Sequence, residues 1–126
     1  MRDLVACVLA ALALAGCSDT ISDVDTQLVF PEKDVSYSQH VQPFFNLRCA
    51  TSGCHDDRTR AHGLSLTSYF ALTERPGIVI PGNSDASLLV QRIDGRLPHP
   101  PEIPILVNDN QRKGIRTWVD EGAKNN

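Results

Sequence analysis

The chain has 126 residues and a formal net charge of −3, with ordinary hydrophobic content and few aromatic residues. That length suits one domain rather than two, and one with a limited core. The mild acidic balance offers no basic footprint for nucleic acid and little attraction to an anionic lipid surface.

Residues 1–16 read as a secretory signal, with Arg2 in the charged region and an apolar run from Leu4 to Ala15. The run is too short to span a bilayer comfortably as a helix. It ends in Leu14-Ala15-Gly16-Cys17, which resembles a bacterial lipobox. The resemblance implies cleavage before Cys17 and lipid on its sulfur and new N-terminus, which places the protein in the bacterial cell envelope. Ser18 resembles the outer-membrane sorting pattern, with the protein facing the periplasm. The alternative is an ordinary signal cut near Ala15. Removing residues 1–16 leaves 110 and an unchanged net charge, since Arg2 and Asp3 leave together. Residues 17–34, polar and carrying Asp19, Asp23 and Asp25, read as a tether between lipid and domain.

The domain is expected over residues 35–126. Ser36 and Ser38 are plausible N-caps, and Val41, Phe44, Phe45 and Leu47 have helical spacing, with Pro43 suited to a first turn. This predicts a helix from Val41 to Arg48, with His40 a surface or capping residue. A polar loop follows from His55 to Gly63, then a brief alternation at Leu64-Ser65-Leu66 and a short helix from Ser68 to Thr73. Ile78-Val79-Ile80 is an apolar run halted by Pro81-Gly82. Asn83, Ser84 or Asp85 is expected to cap a helix whose apolar face is Leu88, Leu89 and Ile93, ended by Gly95. Leu97-Pro98-His99-Pro100-Pro101 must be loop. Asn108 and Gln111 resemble a capping box for a terminal helix with Ile115, Trp118 and Val119 on one face, stopping at Gly122. There is no internal repeat. The expected class is mostly α, with long loops that need something to wrap around.

Chemistry concentrates in Cys49-Ala50-Thr51-Ser52-Gly53-Cys54-His55. Two cysteines with histidine directly after the second form the arrangement that attaches a c-type haem. Each thiol adds to one vinyl group, and the adjoining imidazole reaches one face of the iron. Four residues separate the cysteines, where the common motif has two, so the extra residues must bulge outward. Gly53 tolerates the backbone such a bulge needs. Of the four cysteines, Cys7 leaves with the signal and Cys17 carries lipid, so Cys49 and Cys54 alone remain in an oxidising compartment. The same pair could instead form a disulfide in a small exported binding module without haem. A zinc site would need four ligands, and Cys49, Cys54, His55 and His62 could be counted to four. Nothing points to an enzyme: the serine elbow, the metalloprotease helix and the Gly-rich phosphate loop are all missing. Asp56-Asp57 reads as a solvated pair.

Around the motif stand Val41-Gln42-Pro43-Phe44-Phe45, Gly63-Leu64-Ser65-Leu66, Val79-Ile80-Pro81-Gly82, Ser87-Leu88-Leu89 and Trp118-Val119-Asp120-Glu121-Gly122-Ala123. In this order they resemble single-haem cytochrome c-like domains of exported bacterial proteins, from about Val35 to Ala123. The resemblance implies a small helical fold around one haem c. It implies a periplasmic electron carrier that meets redox partner proteins and is held to the membrane by its N-terminal lipid. Cys49 and Cys54 would hold the haem and His55 would be the proximal ligand. Leu64, Leu66, Ile80, Pro81, Leu88, Leu89, Ile115 and Trp118 would line the crevice. The Pro81 carbonyl would accept a hydrogen bond from His55 Nδ1, and Arg48, Arg92 or Arg96 would pair with the propionates. The family's distal ligand is a methionine in a Met-Pro-Pro context, yet Met1 is the only methionine of this chain. His99-Pro100-Pro101 stands in that place, which makes His99 the expected sixth ligand and His62 the second candidate. A bis-imidazole iron has a lower potential than one with methionine. An open distal site would instead suit a haem-based gas sensor.

Overall fold

A computed structural model describes residues 28–101 and 105–126. The expected signal segment 1–16, the expected lipidation site Cys17 and residues 18–27 lie outside the described residues. Among the described residues the chain is helical and carries no strand, with an isolated bridge between Pro76 and Val79. A π-helical segment, Tyr37–Val41, runs directly into α1 (Gln42–Arg48). A 3-10 turn at Ala61–Gly63 is followed by α2 (Tyr69–Thr73), α3 (Leu88–Ile93) and α4 (Asp109–Asp120).

Local chemistry accounts for most of these boundaries. Ser36, not Ser38, caps the first helix, its Oγ accepting from the Gln39 N–H at 3.2 Å. That choice starts the helix ahead of the expected Val41. Pro43 falls in the first turn of α1, where a missing N–H costs nothing. Ser68 Oγ accepts from the Ala71 N–H at 3.2 Å and so opens α2. The α3 cap differs from expectation. Asn83 Oδ1 accepts from the Ala86 N–H at 3.1 Å and closes the preceding turn, so the N-cap position passes to Ser87. The buried Ser87 hydroxyl serves that turn as well, accepting from the Ile80 N–H and donating to the Asn83 carbonyl, each at 2.8 Å. The capping box of α4 is present in both directions: Asn108 Oδ1 accepts from Gln111 N–H at 2.9 Å, and Gln111 Oε1 from Asn108 N–H at 3.3 Å.

α4 organises the core. Ile115, Trp118 and Val119 are fully buried, and the helix packs on α3 and on the π-helical segment. The Trp118 ring lies against Tyr37 and Tyr69, with centroids 5.6 and 6.5 Å away, and its Nε1–H donates to the Lys124 carbonyl at 2.9 Å. Gly114 marks a close approach on the same helix: a Cβ there would fall 2.1 Å from Phe30 Cγ. Phe30 is buried in this notch, and its backbone exchanges two hydrogen bonds with the Asn110 side chain, at 2.8 and 3.0 Å. Packing therefore reaches back to Phe30, ahead of the domain start expected at Val35. Asp34 and Val35 are fastened too, their N–H groups donating to the Glu121 carboxylate at 2.6 and 2.9 Å.

Candidate functional site

The residue run from Cys49 to Leu66 forms a closed loop after α1. The Cys49 and Ala50 N–H groups both donate to the Phe45 carbonyl, at 2.8 and 2.7 Å, which ends the helix and turns the chain. The His55 N–H donates back to the Cys49 carbonyl at 3.0 Å, so the two ends of the motif are tied across its four-residue bulge. Gly53 sits in that bulge at φ +85°, a conformation that favours glycine. The Asp56 carboxylate accepts from the Gly53 and Arg58 N–H groups at 2.9 and 2.8 Å and from the Thr59 N–H at 2.5 Å. These bonds hold its carboxyl below the usual carboxylate range. Asp57 is likewise engaged, accepting from the Ser65 and Thr67 hydroxyls at 2.7 and 2.8 Å. The two carboxylates that the sequence presents as a solvated pair are loop staples.

Cys49, Cys54 and His55 open onto a cleft of about 570 Å³, within the range typical of cofactor pockets. Of the residues the sequence offered for a crevice, Leu64, Leu66, Leu88 and Leu89 line it, together with Leu47, Ile78, Ile93, Ile105 and Leu106. Four expected crevice residues lie elsewhere. Ile115 and Trp118 are in the core, where the apolar face of α4 meets the π-helical segment and Tyr69. Ile80 and Pro81 are exposed at a turn whose Gly82 N–H is tied to the Val119 carbonyl at 2.7 Å. Pro81 is not the hydrogen-bond partner of His55 either. His55 Nδ1 lies 3.1 Å from the Leu64 carbonyl. A carbonyl can only accept, so Nδ1 carries the proton and Nε2 keeps its lone pair for a metal.

Across the cleft stands His99, on the proline loop between α3 and α4. The His55 and His99 ring centroids are 5.8 Å apart with planes at 81°. One metal held by two imidazole nitrogens at about 2 Å each would set those nitrogens about 4 Å apart, with the ring centres somewhat farther. The observed spacing fits that arrangement. His62 also lines the cleft but is exposed. His40 lies away from it and acts as a cap, its Nδ1 accepting from the Ser36 N–H at 3.1 Å.

Electrostatics favour a neutral donor set. Burial pulls the His55 pKa down, and His99 and His62 push the same way, against the ring's hydrogen bonds to the Leu64 and Ala61 backbone. Burial pushes the Cys49 thiol up to about 12, helped by Cys54 and opposed by Arg48. A metal-binding cysteine must be a thiolate, so Cys49 is a poor ligand and a good neutral thiol. Cys49 and Cys54 are both free thiols. Among the described residues, no three His, Cys, Asp or Glu side chains gather to hold a metal ion. Three arginines, Arg48, Arg75 and Arg92, are the only charged side chains among the described lining residues. Arg75 is absent from the sequence expectation, and its guanidinium donates to the His62 carbonyl. Arg96 turns away to Asp85 and Asp94, at 3.5 and 3.3 Å. No helix among the described residues is long and apolar enough to cross a membrane.

No family model, curated protein or solved structure matches this chain.

Proposed function

We propose that the chain is a lipid-anchored c-type cytochrome with one haem, passing single electrons between redox partner proteins of the bacterial cell envelope. The observation that carries this reading is the convergence of Cys49, Cys54, His55 and His99 on one apolar cleft, with the two imidazoles 5.8 Å apart. Haem c supplies a one-electron ferric–ferrous couple when bound. Cys49 and Cys54 would hold the haem through two thioethers, each thiol S–H adding across a vinyl double bond with no change of oxidation state. His55 would bind the iron through Nε2, oriented by the Leu64 carbonyl, whose hydrogen bond also raises the ring's basicity. His99, facing His55 across the cleft, would supply the second imidazole. Leu64, Leu66, Leu88 and Leu89, which line the cleft, would keep water from the macrocycle. Arg92 lines the cleft, and its guanidinium makes no hydrogen bond or ion pair with a described residue, which would leave it available to a propionate.

Redox titration of protein exported by a host that matures c-type cytochromes tests the function. A single one-electron, low-spin transition is expected, at a potential below that of a histidine–methionine site. A colourless protein without a reversible couple would overturn the reading. The anchor has its own test: Cys17→Ser should release the domain in soluble form, and continued membrane association would refute lipidation at Cys17.

A further inference from the structure

The two imidazoles that face the cleft are supported very differently. His55 donates from Nδ1 to the Leu64 carbonyl. Its backbone is tied on both sides, N–H to the Cys49 carbonyl and carbonyl to the Leu66 N–H, at 3.0 and 2.9 Å. His99 has neither kind of support. Its Nδ1 is buried with no hydrogen-bond partner among the described residues. Pro98, Pro100 and Pro101 have no N–H to give, and residues 98–101 and 105–107 make no backbone–backbone hydrogen bond with any described residue. A metal-bound histidine normally donates its second N–H to an oxygen, and losing that partner weakens the site by about 10–100-fold.

We propose that His99 is a displaceable ligand, so that the reduced protein binds a small neutral diatomic molecule in its place and has a ligand-binding activity beside electron transfer. The inference rests on the haem reading above. In the exchange the bond from the His99 nitrogen breaks and one from the incoming lone pair forms. No electron is transferred and no proton leaves.

Carbon monoxide is the probe, mixed with the reduced, full-length exported protein after covalent haem has been confirmed by staining. The wild type should be low-spin beforehand and should bind carbon monoxide at a rate that saturates with concentration, because His99 must leave first. His99→Ala should remove the saturation and leave a rate linear in carbon monoxide, while His62→Ala should change neither. A low-spin haem protein that takes up no carbon monoxide would overturn the proposal and leave the cytochrome reading standing. So would a wild-type rate that is already linear, or loss of saturation in His62→Ala rather than His99→Ala. Protein without covalent haem would overturn both.

Discussion

The two walls of the cleft are built on opposite plans. The Cys49–Leu66 wall is a long loop stitched by backbone bonds to α1 and to itself, with Asp56 and Asp57 as side-chain staples. The His99 wall is short and proline-rich, fixed at its two ends by α3 and by the capping box of α4. A long segment can thus be the rigid side of a site, because rigidity follows the number of satisfied backbone groups rather than length. On the proposed reading the first wall would hold the haem and the second would adjust its reactivity.

Exchanging one histidine at a time should break the symmetry most visibly. His55→Ala is expected to abolish the low-spin spectrum and most haem retention during export. His99→Ala should keep covalent haem and become high-spin, as read by optical spectra. Equal losses from both substitutions would contradict the division of labour.

The next largest effect belongs to the foundation of the rigid wall. Phe45 is fully buried, and its carbonyl receives both N–H groups that turn the chain into the motif. Phe45→Ala should cost about 3–5 kcal/mol of unfolding free energy, measured by denaturant titration. The matching change on the other wall is smaller. Asn108→Ala removes one half of the capping box and should cost about 1 kcal/mol, with little change in haem retention.

Acid should sharpen the contrast at the lowest amplitude. The Asp56 carboxyl has its pKa depressed below 3.8 by N–H donors of Thr59, Gly53 and Arg58. A group depressed in the folded state stabilises the fold above its unfolded value and loses that contribution as pH falls through its folded one. The Cys49–Leu66 loop should therefore loosen below about pH 3.8, seen as faster amide exchange at Gly53 and Thr59. Asp56→Asn should remove most of this acid dependence.

Much of the fold is legible in the sequence where its causes are local. The α4 capping box needs only Asn108 and Gln111 at the right spacing, and the buried face of Ile115, Trp118 and Val119 follows from helical period alone. What is hidden depends on distant partners. Phe30 belongs to the core because Gly114 leaves a notch for it, and nothing near Phe30 announces that. The Ser87 cap depends on a turn that occupies Asn83. The structure brings Cys49, Cys54, His55, His99, Leu64, Leu66, Leu88 and Leu89 to one cleft, a grouping that residue types and their order in the chain already suggest. Trp118 and Ile115 could not be divided from them in advance, since burial in a core and burial in a crevice use the same residue types. Arg75 and the Leu64 carbonyl were equally hidden, because each acts through backbone geometry that residue identity does not encode.

The most direct test is a haem stain after denaturing electrophoresis of the exported protein, beside a Cys49→Ala/Cys54→Ala control. Stain that survives denaturation on the wild-type chain and is absent from the control is the predicted result. A colourless wild-type band, with export and haem maturation shown on a known cytochrome in the same cells, would contradict the account.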